Sequence, residues 1–278
     1  MKKAIKDALS FSQNFTNYRF LSSPFRKLPN FIIIGVMKSG TTSLYNYLIQ
    51  HPQIIPANKK EVHFFDKNFH KGIYWYRTHF PLFSNLDYVT GEGSPYYIFH
   101  PLVAQRIAKT IPQVKLIAVL RNPINRAFSH YQRNVARGYE NLSFEEAIDR
   151  EEERLKGERE KILNDERYRS RNYTFYSYLS RGRYIEQIQD WLHYFPQQQF
   201  LFIKSEDLFT NQSEIYSQVL NFLDLPQFQP NTFEVYLSGE YKKNRKKMND
   251  ETRRRLTEYF EPYNRKLSDF LGYDYNWS

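Results

Sequence analysis

The sequence predicts an α/β fold, a single domain with a mainly parallel central sheet flanked by helices. The runs Phe31–Gly35 and Val114–Leu120 are continuously apolar and have the length of strands that are buried on both faces. Segments with helical periodicity alternate with these runs, as they do around parallel sheets. No repeat, low-complexity tract or Gly/Ser linker interrupts the 278 residues, so we interpret the chain as one domain.

The elements follow in chain order after an N-terminal arm. Residues 1–30 are polar, aromatic and interrupted by Pro24 and Pro29, so we expect them to pack on the domain formed by residues 31–278. The predicted strands are Phe31–Gly35, Asp87–Thr90, Val114–Leu120 and Phe200–Lys204. The predicted helices are Thr42–Gln50, Pro101–Thr110, Pro123 to about Arg137, Tyr184–Tyr194, Ser213–Leu223 and a C-terminal helix with Leu256, Tyr259, Phe260, Tyr263 and Leu267 on one face.

A charged helical excursion, about residues 141–173, departs from this alternation. Between Asp149 and Arg169, fifteen of 21 residues are charged, eight of them acidic and seven basic. Such a composition is typical of a solvated helix rather than of a core element. Ser143 and Glu146 have the spacing of a capping box, which predicts where the helical segment begins.

The composition excludes several classes of protein. Apolar residues make up 41% of the chain and aromatic residues 18%, which excludes a disordered protein. The chain has no cysteine, so disulfides, thiolate metal sites and cysteine nucleophiles are excluded. Lys and Arg number 40 against 30 Asp and Glu, and the net charge of +10 favours an anionic partner.

The sequence also indicates a location. No apolar run approaches the ~18 residues of a membrane helix, so we expect no transmembrane segment. Near the start, Lys6 and Asp7 interrupt any apolar segment of signal-peptide length. A cytoplasmic location is therefore expected.

The segment Phe31 to Ser43 predicts a phosphate site. A buried strand that enters a glycine-containing loop and then a helix places backbone N–H groups at the positive end of a helix dipole. Gly35 and Gly40 have the four-residue gap of a Walker A loop, but position 41 is Thr and the lysine is Lys38, inside the loop. The motif is P-loop-like without the pattern of an ordinary NTPase. A tight strand-to-helix turn with an exposed lysine is the structural alternative.

A second anion site is predicted after the third strand. Arg121 follows the carboxyl end of that strand, where α/β sheets bind ligands. On the next helix Arg126, Ser129 and Arg133 have i, i+3, i+7 spacing, so a guanidinium and a hydroxyl can meet on one phosphate. An ordinary basic helix face is the alternative for Arg126 and Arg133.

A third candidate is the segment Lys59 to Asp66, which brings together acidic, imidazole and aromatic side chains. Glu61 could serve as a general base there. Taken alone, this segment is explained better by surface pairing of Glu61 with Lys59 or Lys60 and a packed or exposed His63.

Together these motifs resemble the sulfotransferases that use 3′-phosphoadenosine 5′-phosphosulfate (PAPS), in particular the heparan sulfate O-sulfotransferases and the sulfotransferase domain of the N-deacetylase/N-sulfotransferases. The resemblance runs from about Leu28 to Trp277. Motifs in the order of that family carry it: Gly35 to Thr42, Lys60 to Asp66, Leu120 to Tyr131, Gly182 to Tyr184, Trp191 with Phe195 and Pro196, Glu206 to Leu208, and Asn221 to Leu225.

The resemblance implies a role for each matching residue. The 5′-phosphosulfate would lie in the loop formed by Lys38, Ser39, Gly40, Thr41, Thr42 and Ser43. Arg121 and Ser129 would hold the 3′-phosphate, Glu61 would be the catalytic base, and Lys38 would stabilise charge on the leaving phosphate. No metal is required for this chemistry. Lys243, Arg245 and Lys246 loosely match a loop that closes over the cofactor, and candidate acceptor contacts are His63, Tyr97 and Arg133.

The chain departs from these relatives at Gly93, where they carry a lysine near substrate and sulfate, so the acceptor could differ. We expect a carbohydrate-like or small-molecule acceptor that bears a hydroxyl or amine, and no nucleic-acid partner. A P-loop kinase or NTPase is the alternative enzyme, disfavoured by Thr41. A nucleic-acid binding protein that uses Lys242 to Arg255 is the third hypothesis, since eight of those fourteen residues are basic.

Overall fold

The sheet of the protein is parallel throughout. The computed structural model describes residues 18–84, 87–236 and 247–277. In this part of the chain the strands are Phe31–Gly35 (β1), Gly91–Glu92 (β2), Lys115–Leu120 (β3) and Phe200–Lys204 (β4). They form one sheet in the order β2-β1-β3-β4, and every neighbouring pair is parallel. The α/β prediction is confirmed.

Helices connect the strands and cover both faces of the sheet. The α-helices are Thr41–Leu48 (α1), Gly72–Arg77 (α2), Val103–Thr110 (α3), Pro123–Ala136 (α4), Phe144–Asp149 (α5), Glu151–Leu155 (α6), Glu158–Asn164 (α7), Arg171–Phe175 (α8), Tyr184–Leu192 (α9), Ser205–Thr210 (α10), Gln212–Phe222 (α11) and Asp250–Leu271 (α12). Short 3-10 turns occupy Ser23–Phe25, Phe69–Lys71, Tyr97–Phe99, Ser180–Gly182 and Gln197–Gln199, and a π-helical turn occupies Phe64–Asn68.

Burial on both faces explains why the strands lack polar alternation. Ile32 and Ile34 of β1 pack in one core cluster, which also contains Trp191 of α9. Phe31 and Ile33 point to the opposite face, where they pack with side chains of α1 and α11. Because successive side chains of a strand alternate between faces, a strand covered on both sides must be apolar throughout.

The strand order determines where ligands can bind. β1 and β3 are central neighbours, and β2 and β4 are added on opposite sides of them. In open parallel sheets the crevice lies at the carboxyl ends of the strands where the order reverses. Here that place is at the ends of β1 and β3, directly before Val36 and Arg121.

The second strand differs from its prediction. The sequence predicts a strand over Asp87–Thr90, whereas β2 is Gly91–Glu92 and Val89 makes only an isolated parallel bridge to Ile54. A two-residue strand has too little alternation or apolar length to be located from sequence.

The charged excursion also differs, because it is divided into α5, α6, α7 and the start of α8 rather than one helix. The chain turns at Gly157, whose φ of 73° is left-handed. The excursion is not wholly solvated either: Glu151 is buried and accepts hydrogen bonds from Leu179 N at 2.6 Å and Ser180 N at 2.8 Å. The capping box at Ser143 is present as predicted.

Both ends of the described chain pack on the sheet domain. In the arm, Arg26 Nη1 donates to Phe80 O at 2.7 Å. In α12 the side chains of Leu256, Phe260 and Leu267 are buried, while Tyr259 is 37% exposed, so Tyr259 lies off the buried face to which the sequence assigned it. Within the described residues, no helix is both long enough and apolar enough to cross a membrane.

Candidate active site

The loop after β1 has the backbone geometry of an anion site. Lys38 has a φ of 77° and Gly40 a φ of 100°, and α1 begins at Thr41. The first N–H groups of a helix have no partner within the helix, and the helix dipole makes this end positive. The backbone of the loop therefore has the geometry that suits a phosphate-like group, while the binding roles of Lys38 and its neighbours stay predictions.

Three hydrogen bonds hold this loop in shape. Ser39 Oγ donates to Val36 O at 2.5 Å, and Ser205 Oγ donates to Ser39 O at 2.7 Å. Arg121 Nη1 donates to Lys38 O at 2.8 Å. Because Arg121 follows β3, this last bond brings the two predicted phosphate motifs to one site at the carboxyl ends of β1 and β3.

The helix after Arg121 presents its residues differently from the prediction. Ser129 is buried and Arg133 is half-buried, but Arg126 is fully buried, with Nη2 donating to Tyr178 O. The expectation that Arg126 could meet a phosphate with Ser129 is corrected: Arg126 packs inward, because its face of α4 lies against the 3-10 turn that follows Tyr178.

The base candidate lies in a row of three polar side chains. His63 Nε2 is 3.3 Å from Glu61 Oε2, and His63 Nδ1 is 2.8 Å from Asp66 Oδ2. His63 has a left-handed φ of 54°, and a π-helical turn starts at the next residue. Asp66 is buried, whereas 42% of the Glu61 side chain is exposed. The imidazole therefore links a buried carboxylate to an accessible one.

The charges in this row stabilise one another. Burial alone would raise the pKa of Glu61, but hydrogen bonding from His63 and the charge of Lys60 outweigh it and lower the pKa to about 2. Burial would lower the pKa of His63, but its hydrogen bonds to Asp66 and Glu61 raise the pKa to about 9. At neutral pH the site holds a carboxylate at Glu61 and an imidazolium at His63.

Replacing Asp66 by asparagine is expected to lower the pKa of His63 from about 9 toward its ordinary value, because one hydrogen-bonded charge is lost. The folded protein binds the His63 proton more tightly than the unfolded chain does, so protonation adds to the free energy of unfolding. This contribution is complete below about pH 6.5 and disappears as pH rises through about 9. NMR titration of the His63 ring measures the change, with exposed Asp165→Asn as the control. An unchanged pKa in Asp66→Asn would contradict this account.

A lysine connects the base candidate to the loop. Lys60 Nζ donates to Thr42 Oγ1 at 2.7 Å and lies 3.4 Å from Glu61 Oε1. Thr42 is in the first turn of α1, directly after the loop. The Glu61 carboxylate is thus placed beside the predicted phosphate site by a chain of direct contacts.

A buried carboxylate accepts hydrogen bonds that hold the segment around Glu61 in place. Glu92, at the end of β2, accepts hydrogen bonds from Tyr76 Oη at 2.6 Å, Ser94 Oγ at 2.7 Å and Val62 N at 3.2 Å. Burial raises its pKa. The sequence analysis gave no role to Glu92 and missed Asp66 as the partner of His63. The available signals were the position of Glu92 directly before Gly93 and of Asp66 at the end of the motif Lys60 to Asp66.

Tyr97 lies under the site rather than on its rim. Its side chain is fully buried, and its hydroxyl accepts from Phe64 N at 2.8 Å and donates to Glu92 Oε1 at 3.2 Å. The expectation that Tyr97 contacts the acceptor is therefore corrected. His63 and Arg133, the other two candidate acceptor contacts, are both partly exposed.

Lys243, Arg245 and Lys246 lie outside the described residues, as does the part of the basic segment Lys242 to Arg255 that covers residues 242–246. The described residues that precede this segment in the sequence contact α1. Tyr236 N donates to Ser43 Oγ at 3.1 Å, and Tyr47 Oη donates to Glu234 O at 2.9 Å. Ser43 is the last residue of the predicted phosphosulfate loop, and its hydroxyl accepts this hydrogen bond from the backbone of Tyr236.

Comparison with known proteins decides the family. A family described as "Sulfotransferase domain" matches residues 28–270, which include the loop, Glu61 and Arg121. The chain belongs to the sulfotransferase family. Its relatives include the heparan sulfate branch that the motifs resemble. The chain spans less than two thirds of the length of the first curated relatives that it matches.

Several named relatives are similar to this sulfotransferase. It is 30% identical to the membrane-associated sulfotransferase kil1 of Dictyostelium discoideum over 90% of this chain and 66% of that protein. It is 28% identical to human heparan sulfate glucosamine 3-O-sulfotransferase 3B1 over 93% of this chain and 67% of that protein. A match to bifunctional heparan sulfate N-deacetylase/N-sulfotransferase 1 of Caenorhabditis briggsae, 33% identical, covers 73% of this chain and 23% of that protein.

The fold of the sulfotransferase agrees with a solved structure. The crystal structure of a sulfotransferase from Alicyclobacillus acidocaldarius aligns with a TM-score of 0.69 and 29% identity, covering 89% of this chain and 97% of that one. The parallel sheet and its flanking helices are thus those of the family.

Proposed function

We propose that this sulfotransferase moves the sulfuryl group of PAPS to a hydroxyl or amine of a carbohydrate-like acceptor, with Glu61 as general base. The donor is the one that the family resemblance implies. The observation that carries the proposal is the contact of Lys60 with both Thr42, at 2.7 Å, and Glu61, at 3.4 Å, because it places a carboxylate beside the phosphate-binding loop.

The residues of the loop fit a nucleotide with two anionic ends. Lys38 and the N-terminus of α1 suit a phosphosulfate, since both are positive. Arg121 presents a guanidinium beside the same loop, and Ser129 presents a hydroxyl on the next helix. A guanidinium paired with a hydroxyl suits a phosphate, which can accept several hydrogen bonds. The family resemblance assigns both residues to the 3′-phosphate, the group that separates PAPS from ATP, and the position of Arg121 beside the loop supports that assignment.

Bound PAPS would supply an activated sulfuryl group, and the chain supplies charge and a base. Lys38 would stabilise the negative charge that develops on the leaving phosphate. Because the pKa of Glu61 is about 2, its carboxylate cannot ionise a sugar hydroxyl in advance, so the proton must leave as the new bond forms. His63 orients Glu61 through the contact at 3.3 Å.

The carbohydrate-like acceptor is proposed from the relatives and from the accessible side of the site. The relatives whose names specify a substrate act on heparan sulfate. His63 and Arg133 are the partly exposed candidates for acceptor contacts. A guanidinium and an imidazolium there would suit an acceptor that carries carboxylate or sulfate groups.

Calorimetric titration with PAP, the desulfated product of PAPS, beside 5′-AMP and ATP tests the donor. The proposal expects PAP to bind at least about tenfold more tightly than 5′-AMP, because only PAP has the 3′-phosphate. Incubation with radiolabelled [³⁵S]PAPS and a panel of glycans then tests the acceptor. Equal binding of PAP, 5′-AMP and ATP would refute the donor and favour the kinase alternative.

Replacing Gly40 by alanine is expected to weaken PAP binding about tenfold or more, because the loop holds Gly40 at a φ of 100°. An added Cβ would also lie 2.8 Å from Phe209 Cζ. Gly157→Ala is the matched control, since Gly157 has a φ of 73° with nothing within 4 Å of an added Cβ. The control should lose stability without losing PAP affinity. Unchanged PAP affinity in Gly40→Ala would contradict the assignment of the loop.

A further inference from the structure

One lysine side chain lies between the two halves of the proposed site. Lys60 Nζ contacts Thr42 Oγ1 at 2.7 Å on the donor side and Glu61 Oε1 at 3.4 Å on the acceptor side. A sulfuryl group that moves from the loop to an oxygen held at Glu61 must pass beside this ammonium group. Sequence analysis singled out Glu61 in this motif and treated Lys60 only as a surface partner for it.

Lys60 is held in its position. Only 18% of its side chain is exposed, and lysine is seldom buried unless it is paired. Its backbone is tied to the segment after β2, because Gly93 N donates to Lys60 O at 2.9 Å. Burial lowers the pKa of Lys60, and the charge of Glu61 opposes that shift. A cation that has lost part of its water interacts more strongly with a neighbouring anion than an exposed one does.

The proposed reaction needs positive charge at this place. The transfer breaks the S–O bond to the 5′-phosphate and forms an S–O bond to an acceptor hydroxyl or an S–N bond to an acceptor amine. The electron pair of the broken bond stays on the phosphate oxygen, and the acceptor proton passes to Glu61. Negative charge is carried by the sulfuryl oxygens throughout, so a fixed cation beside them stabilises the transition state.

We propose that Lys60 is a second cation of the transfer site and contacts the sulfuryl group of PAPS between Thr42 and Glu61. This inference rests on the proposed function. It divides the charge stabilisation between two lysines: Lys38 at the leaving phosphate and Lys60 at the moving sulfuryl group.

Titration with PAPS and separately with PAP detects this contact without turnover, since the two ligands differ only in the sulfuryl group. Lys60→Met is expected to weaken PAPS binding about tenfold while PAP binding changes less than about threefold. In single-turnover hydrolysis of [³⁵S]PAPS, with water as the acceptor, the variant should be about 10²-fold slower. Lys60→Arg keeps the positive charge, so this variant should retain most of the wild-type ratio of PAPS affinity to PAP affinity.

The neighbouring Lys59 provides the matched control. Its side chain is exposed, so Lys59→Met should bind both ligands as the wild type does. Equal weakening of PAPS and PAP binding in Lys60→Met would show that Lys60 only shapes the loop. Wild-type affinity for both ligands would show that Lys60 makes no contact with either. Each result overturns the proposal. Wild-type protein that fails to prefer PAP over 5′-AMP would overturn the proposed function itself, and this assignment with it.

Discussion

Replacing Glu61 by glutamine is expected to slow sulfuryl transfer by about 10²–10⁴-fold, the usual contribution of a general base. Glutamine keeps the size and hydrogen-bonding capacity of the side chain but cannot accept the acceptor proton. PAP affinity should change less than about threefold, because Glu61 reaches the loop only through Lys60. Single-turnover transfer from [³⁵S]PAPS and calorimetry with PAP measure the two effects separately.

The control for this variant is Glu258→Gln on α12, which removes an exposed carboxylate outside the site. It should match the wild type in both measurements. Near wild-type transfer by Glu61→Gln would show that another group accepts the proton. His63 is a poor substitute, because its hydrogen bond to Asp66, which the variant keeps, still raises the pKa of the imidazole.

Replacing Arg121 by alanine is expected to weaken PAP binding by roughly 10- to 150-fold, corresponding to about 1.5–3 kcal/mol for a hydrogen bond to a charged group. The 5′-AMP affinity should fall less, because 5′-AMP has no 3′-phosphate. Some loss for 5′-AMP is still expected, since Arg121 Nη1 also holds Lys38 O at 2.8 Å. Calorimetry with both nucleotides gives the ratio of PAP affinity to 5′-AMP affinity, and this ratio measures the contribution of the 3′-phosphate to binding.

Two further variants make this measurement decisive. Ser129→Ala removes a buried hydroxyl on α4 and should reduce the preference for PAP by up to about tenfold. Arg137→Ala removes an exposed guanidinium directly after α4 and should leave the preference unchanged. A wild-type ratio of PAP to 5′-AMP affinity in Arg121→Ala would remove Arg121 from the 3′-phosphate site.

Local sequence predicted the elements whose signal is strong and continuous. β4 lies at Phe200–Lys204 as predicted, and β3 begins one residue later than expected, at Lys115. The capping box at Ser143 also follows from neighbours in sequence. The two-residue β2 and the division of the excursion at Gly157 were not predicted, because each depends on a few residues held by their surroundings.

The candidate active site shows the same division, because the sequence indicates which residue types are suitable and the fold decides where they lie. Sequence motifs identified Lys38, Glu61 and Arg121 as chemically suitable groups before their positions were known. Burial decided which predicted neighbours take part: Tyr97 and Arg126 both prove to be interior residues. A one-dimensional spacing shows that side chains share a helix face, but it does not show whether that face meets solvent or the core.

The sequence by itself determined the fold class and the family, and it predicted a phosphate site in the loop after β1, because apolar runs, motifs and glycine spacing are local properties of the chain. Only the tertiary structure decided that Arg121 reaches the backbone of Lys38 and that Lys60 joins Thr42 to Glu61. Asp66 and Glu92 acquired their roles in the same way. Contacts between separate strands and loops depend on how the sheet orders its strands, and in β2-β1-β3-β4 that order differs from the order along the chain.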